Sequence, residues 1–140
     1  MQIQSIVGWQ AHIMDGRKYL KTASNGLSRP AVFNNELIFQ LAAMAIEKLI
    51  VGVSQYHHQM PFDHTLSGLV EGLAPICAME ADLADRIKVI EQIDDMCSLA
   101  PVLRSAPSDM DIQQILDVGR QVASFAEQHV PWDDIETVTA

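Results

Sequence analysis

Hydrophobic positions recur with a helical period along most of the chain, and alternating runs typical of strands are scarce. A first helix is predicted from about Ser5 to Ser24, because its apolar positions recur every three or four residues and so share one face. These positions are Ile6, Trp9, Ile13, Gly16, Leu20 and Ala23. Asn25-Gly26 lies between two helical segments and is predicted to end the first of them. The pattern therefore predicts an all-α chain.

The second predicted helix begins between Pro30 and Asn35, ends near Tyr56 and is unusually apolar. It carries two adjacent apolar stripes, Leu37-Leu41-Met44-Lys48-Val51 and Ile38-Ala42-Ala45-Leu49-Gly52-Tyr56, separated from solvent only by a thin polar seam of Glu36, Gln40 and Glu47. A helix with so little polar surface needs cover on more than one side. We expect it at the centre of a bundle or at a dimer interface.

Three more helices complete the predicted fold. They are a short one from about Leu66 to Pro75, capped by Asp63 or Thr65, a long one from Ala81 to Leu99, and a long one from Ser108 or Asp109 to Pro131. Short connections favour antiparallel neighbours. We expect an all-α, five-helix up-and-down antiparallel bundle, with four long helices and one short, as a single domain over residues 1–131. An acidic tail follows over residues 132–140.

The composition suits one globular domain and narrows its partners. The 140 residues are 49% hydrophobic and 19% charged, which is enough to bury a core. With nine Lys and Arg against eighteen acids, the net charge of −9 disfavours sequence-independent binding to a nucleic-acid backbone. No apolar run is expected to span a bilayer and no signal peptide is apparent, so a cytoplasmic location is expected. Cys77 and Cys97 fall on apolar positions, where reduced core residues are expected.

The residue types that bind metals cluster once along the chain, at His57, His58, His64 and Asp63. His57 and His58 are adjacent, so they would point apart on a helix, and no Glu-x-x-His pair typical of di-iron bundles is present. Surface-loop histidines are the preferred interpretation, and a zinc or iron site is the alternative. We therefore predict no metal ligand and no cofactor. No catalytic residue is predicted either, because nucleophile-elbow and phosphate-loop motifs are lacking.

Four residues make up the predicted ligand-binding set: Glu47, Lys48, Asp63 and His64. Lys48 interrupts an apolar stripe, so it either lays its methylenes on the core with its ammonium in water or serves as a pocket cation for a phosphate. His64 either packs in the first turn of the short helix or acts as a ligand or phosphate acceptor.

Several of these residues carry a resemblance to a known family. The alanine-rich stretch after Phe39, the Glu47-Lys48-Leu49 triplet, Pro61 and the following His64-Thr65-Leu66 resemble the HEPN (higher eukaryotes and prokaryotes nucleotide-binding) domain, over about residues 7–130. The resemblance implies a five-helix up-and-down bundle that forms a homodimer. It also implies a role in nucleotide binding, in ribonuclease activity or beside a nucleotidyltransferase-type protein partner, as in toxin–antitoxin-like pairs.

The ribonuclease members of that family carry Arg-x(4–6)-His, and this chain lacks the motif. None of its five arginines has a histidine at that spacing, and the nearest approach, Arg120 to His129, is nine positions. The family's Arg-Tyr-Pro is also replaced, by Ala100-Pro101-Val102. The resemblance therefore implies a nucleotide-binding or protein-interaction module without ribonuclease activity.

A second resemblance gives an alternative function. His64-Thr65-Leu66-Ser67-Gly68 is similar to the His-x-x-Lys-Gly of histidine phosphotransfer domains, which are also helical bundles. In those domains the histidine accepts a phosphoryl group and the lysine stabilises it, whereas Ser67 stands at the lysine position here. The alternative is a signalling domain with His64 as phosphoacceptor.

Overall fold

The chain folds into five helices. A computed structural model describes residues 3–59, 65–97 and 106–131, with side chains over 8–59, 65–94 and 106–131. The helices are α1 (Ile3–Gly26), α2 (Asn35–Tyr56), α3 (Leu66–Leu73), α4 (Ala81–Cys97) and α5 (Asp109–His129). No strand occurs within these three ranges, so the predicted all-α bundle with four long helices and one short is confirmed.

Side-chain caps explain where three of the helices begin. Asn34, Thr65 and Ser108 occupy the N-cap positions of α2, α3 and α5, and each accepts a backbone N–H with its side-chain oxygen. At α5 the cap is reciprocal, because the Asp111 carboxylate accepts the Ser108 N–H at 2.9 Å. Of the two caps predicted for the short helix, Thr65 fills the position and Asp63 lies outside the described residues.

The four long helices alternate in direction, so α2 and α5 run the same way. Near their starts, Asn35 Nδ2 donates to the Pro107 carbonyl at 3.1 Å and to Asp109 Oδ1 at 2.9 Å. Near their ends, His57 Nε2 donates to the His129 carbonyl at 3.1 Å. The predicted core stripe of α5 is entirely buried, and it consists of Ile112, Ile115, Gly119, Val122 and Ala126.

Two glycines allow close helix contacts within the chain. A Cβ atom at Gly16 of α1 would lie 2.7 Å from Leu49 Cγ, and one at Gly119 of α5 would lie 2.7 Å from Leu20 Cδ1. Side chains of the same chain fill the space beside both glycines, so neither glycine supports the predicted homodimer.

Helix α2 is central, as predicted, but one of its two apolar stripes is left open. It packs against α1, α5 and α3. The second stripe is buried from Ile38 to Gly52, whereas the first is open at Leu37 (37% exposed) and Met44 (41% exposed), with Leu41 half-buried between them. We call Leu37, Leu41 and Met44 the α2 face.

One described helix has the length and the composition of a membrane-spanning segment, contrary to the expectation that no segment has them. Among the described residues, α2 is long and apolar enough to cross a membrane. However, 61% of its apolar window is buried against the rest of the chain, as in the core helix of a bundle.

Candidate functional site

Of the predicted ligand-binding residues, the structure places two. Glu47 and Lys48 are both half-buried on α2, whereas Asp63 and His64 lie outside the described residues. Glu47 borders an open cleft of about 450 Å³ between α2, α3 and α4, and Lys48 is not among the residues that line it. The cleft is lined by Gln40, Ala43, Met44, Glu47, Thr65, Leu66, Glu91 and Asp94.

The charged residues among the described lining of this cleft are all acidic. Three carboxylates, Glu47, Glu91 and Asp94, line it, and none of its described lining residues is a Lys, Arg or His. Met44 and Leu66 add apolar surface beside them. Such a lining attracts cationic groups and repels phosphates.

One of the three carboxylates also has a structural task. Glu91 of α4 accepts the Ser67 backbone N–H at 2.8 Å and the Ser67 hydroxyl at 3.1 Å. It therefore holds the first turn of α3, where a negative charge is favourable because free N–H groups point out of the helix. This contact fixes the α3 wall of the cleft against α4.

A second group of polar side chains meets where α2, α3 and α5 end. One ring nitrogen each of His57 and His129 and the Sγ of Cys77 all lie within 4.8 Å of one another. His57 follows α2, Cys77 follows the turn after α3, and His129 is the last residue of α5. Histidine nitrogen and cysteine sulfur are the ligands that zinc and copper prefer.

The end of α2 sets the position of His57. The chain leaves this helix through a Schellman motif, in which the His58 N–H donates to the Gln55 carbonyl at 3.0 Å and the Gln59 N–H donates to the Ser54 carbonyl at 2.8 Å. His58 takes the left-handed conformation that this motif requires, with φ of 61°. Its neighbour His57 is thereby directed towards α5, as the C-cap residue.

Both imidazole rings are held by neighbours. The His57 ring packs edge-on against Tyr56 with 5.0 Å between centroids, and the His129 ring lies 4.4 Å from Phe125. Because a carbonyl oxygen can only accept, the bond from His57 Nε2 to the His129 carbonyl places the proton on Nε2. Nδ1 of the neutral His57 ring therefore carries the lone pair.

Cys77 is the buried member of the group. Its side chain is 6% exposed, and its N–H donates to the Leu73 carbonyl at 3.0 Å. Burial raises the pKa of the Cys77 thiol, because removing water disfavours the thiolate. The thiol is free, as expected from the sequence.

A cleft adjoins this group at His129. It has a volume of about 510 Å³ between the start of α4 and the end of α5. His129 and Ala78, the residue after Cys77, both line it, as do the carboxylates Glu80 and Asp82. The group therefore borders a negatively charged, solvent-accessible space.

Of these three residues, only His57 is a metal candidate from the sequence, where it is grouped with His58, Asp63 and His64. Asp63 and His64 lie outside the described residues. His57 itself is half-buried against α5, which differs from the surface-loop position expected for it. His58 is exposed, as expected. His129 is 72 positions from His57, so no spacing rule could join them. The available signal was that each residue lies at a predicted helix end.

Comparison with known proteins supports the fold alone. No family model matches the sequence, and no curated protein matches it. The crystal structure of TT1696 from Thermus thermophilus is similar, with a TM-score of 0.70 and 18% sequence identity. The match covers 87% of this chain and 98% of that one.

Proposed function

We propose that this chain is an HEPN-like binding module that engages a protein partner through the cleft between α2, α3 and α4. The sequence resemblance supports the family, together with a bundle of four long helices and one short. The missing Arg-x(4–6)-His motif argues for binding rather than RNA cleavage. The observation that carries the proposal is the pairing of an acidic cleft with an open apolar helix face.

The occupant that fits this surface is a basic, amphipathic segment. The α2 face offers Leu37 and Met44 as exposed apolar side chains, which a partner's apolar residues would cover. Met44 also lines the cleft, beside Glu47 and Asp94, so basic residues flanking the apolar ones would meet carboxylates. A nucleotidyltransferase-type protein is the partner class that the HEPN resemblance implies.

Two other occupants fit the same surface less well. A second copy would bring the same carboxylates to a twofold interface and another net charge of −9. The homodimer predicted from the sequence thus has the α2 face in its favour and like charge against it. A nucleotide would place phosphates in an acidic cleft. Phosphotransfer through His64 stays a prediction, since that residue lies outside the described ranges.

The test uses two labelled helical peptides of the same length. One carries leucines on one face and lysines on the other, and its match carries glutamates instead of the lysines. Fluorescence anisotropy should give saturable binding of the basic peptide that weakens with salt, and no binding of the acidic one. Met44→Lys should weaken binding at least about tenfold, or about 1.4 kcal/mol. Met110→Lys is the matched control on α5, at an 81% exposed methionine, and should stay within about twofold.

Four results would overturn the proposal. Equal binding of both peptides, or equal losses in Met44→Lys and Met110→Lys, would remove the cleft as the site. A dimer by light scattering that Met44→Lys converts to a monomer would make a second copy the occupant. A thermal shift with a nucleotide or short RNA would favour nucleotide binding, since a ligand at a hundred times its Kd adds about 2.7 kcal/mol.

A further inference from the structure

We propose that His57, Cys77 and His129 form a site for a zinc-class metal ion, with a fourth coordination position open to solvent. The site is separate from the α2–α3–α4 cleft and does not depend on the function proposed there. It brings together two imidazoles and a thiol, which are the donor types of protein zinc sites.

The distances fit after a small closure. Zinc bonds of about 2.0–2.3 Å in a tetrahedral arrangement place the ligand atoms about 3.3–3.6 Å apart. The three candidate atoms lie within 4.8 Å of one another, so a closure of about 1 Å through side-chain torsions completes the arrangement. All three residues are at helix ends or in the turn after a helix, where such adjustment leaves the buried faces of the helices in place.

The surroundings favour a cation. His57 and His129 lie at the C-terminal ends of α2 and α5, where the helix dipoles present partial negative charge. Donation from one ring nitrogen to a backbone carbonyl is also a usual outer contact of a metal-bound histidine, because it fixes the ring. His57 Nε2 makes such a bond to the His129 carbonyl, and Nδ1 then keeps its lone pair. Glu80 and Asp82 make the adjoining cleft acidic, which raises the local concentration of cations.

The donor set selects the metal class. A thiolate with two imidazoles suits zinc or copper and does not suit magnesium or calcium, which take oxygen ligands. On binding, Sγ forms its bond to the metal and releases its proton to solvent, so one proton leaves the cysteine per ion bound. Since His129 borders the cleft, the fourth position is open to a water molecule or an external ligand.

Cobalt(II) replaces zinc in such sites and makes them visible. Titration of the reduced full-length chain should give one tetrahedral Co²⁺ per chain, seen as a thiolate-to-cobalt charge-transfer band with intense visible bands. Zinc should displace the cobalt. Cys77→Ser should abolish the charge-transfer band, and His57→Gln or His129→Gln should weaken zinc binding by more than about a hundredfold, beyond the usual loss from removing an outer contact.

The chain offers matched controls for both ligand types. Cys97→Ser removes the other thiol, and His58→Gln removes the histidine adjacent to His57. Both variants should keep the charge-transfer band and bind zinc within about threefold of the unmodified chain. Circular dichroism of each variant checks that the helices are retained.

A measurement on the unmodified chain covers the case in which a variant does not fold. Zinc should protect Cys77 from alkylation and leave Cys97 unprotected, as read by peptide mass mapping. Without a cobalt charge-transfer band in the unmodified chain, or with a band that survives in folded Cys77→Ser, the site does not exist. Equal protection of both thiols would overturn it as well.

Discussion

Two Gly→Ala substitutions in the core should change stability in opposite directions. Both Gly16 and Gly119 are buried in helix interiors, where alanine is favoured over glycine by about 1 kcal/mol. At Gly119 the nearest atoms to the new Cβ all belong to the Leu20 side chain, and the close one is Cδ1 at 2.7 Å. This atom is the end of a flexible side chain that can turn away. Gly119→Ala should therefore stabilise the protein by about 0.5–1 kcal/mol.

Gly16→Ala meets a different obstacle. Its Cβ would lie 2.7 Å from Leu49 Cγ, a branch carbon fixed near the α2 backbone, and 3.1 Å from the Ala45 carbonyl oxygen. Relief requires α1 and α2 to separate, and overpacking of this kind costs about 1–3 kcal/mol. After the gain in helix propensity, Gly16→Ala should destabilise the protein by about 1 kcal/mol.

Urea unfolding followed by circular dichroism measures both changes. The midpoints should move apart, down for Gly16→Ala and up for Gly119→Ala, with unchanged slopes. Leu49→Ala provides the internal control, because its own loss of about 2–5 kcal/mol should be smaller in the Gly16→Ala background, where the new methyl fills part of the cavity. A Gly16→Ala protein as stable as the unmodified chain would refute the close α1–α2 contact.

Three further predictions concern the helix ends and the buried thiol. His58→Gly should stabilise the protein by about 0.5–1 kcal/mol in urea unfolding, because glycine adopts the left-handed conformation freely. His57→Gly is the control and should not stabilise the protein, because His57 has a φ of −90°. Glu91→Ala should lower the free energy of unfolding by about 1–3 kcal/mol, because it leaves the Ser67 N–H without its acceptor. It should also raise amide hydrogen exchange in α3 more than in α5. An equal rise in both helices would contradict the role of Glu91 in holding α3 against α4. Burial raises the pKa of the Cys77 thiol in the folded state. The stability that the buried neutral thiol contributes is therefore complete below the pKa of the unfolded thiol, about 8.5, and is lost as the pH rises towards the pKa of the folded thiol. In metal-free protein, the difference in the free energy of unfolding between the unmodified chain and Cys77→Ala should therefore narrow above about pH 8.5. A difference that stays constant with pH would contradict the raised pKa of Cys77.

Local signals were sufficient for the helices. The Thr65 cap, the start of α5 at Ser108 and the prolines after α3 and α5 act through bonds within a few residues, so the sequence locates these helix ends directly. The Asn34 cap lies within the predicted interval from Pro30 to Asn35 for the start of α2. Periodicity also predicted which face of α5 is buried. It did not predict which residues of the two α2 stripes stay open. Lys48 makes the first stripe the less apolar one, but the arrangement of α1, α3 and α5 decides the cover, and it leaves Leu37 and Met44 exposed.

The candidate metal group shows what a sequence pattern lacks. Spacing along the chain groups His57 with His58 and His64, because metal motifs are recognised by spacing along one helix. Cys77 and His129, which lie near His57 in the structure, come from two other segments. Their meeting depends on direction: α2 and α5 start together at Asn35 and Asp109 and end together at His57 and His129. Helices that run the same way place their C-terminal residues at one end of the bundle, with their dipoles aligned. A histidine or cysteine at each of several helix ends is therefore informative once the helix directions are known. In this chain that condition brings Cys77 and His129 to His57, and it gives the bundle a cation-favouring end opposite the starts of α2 and α5.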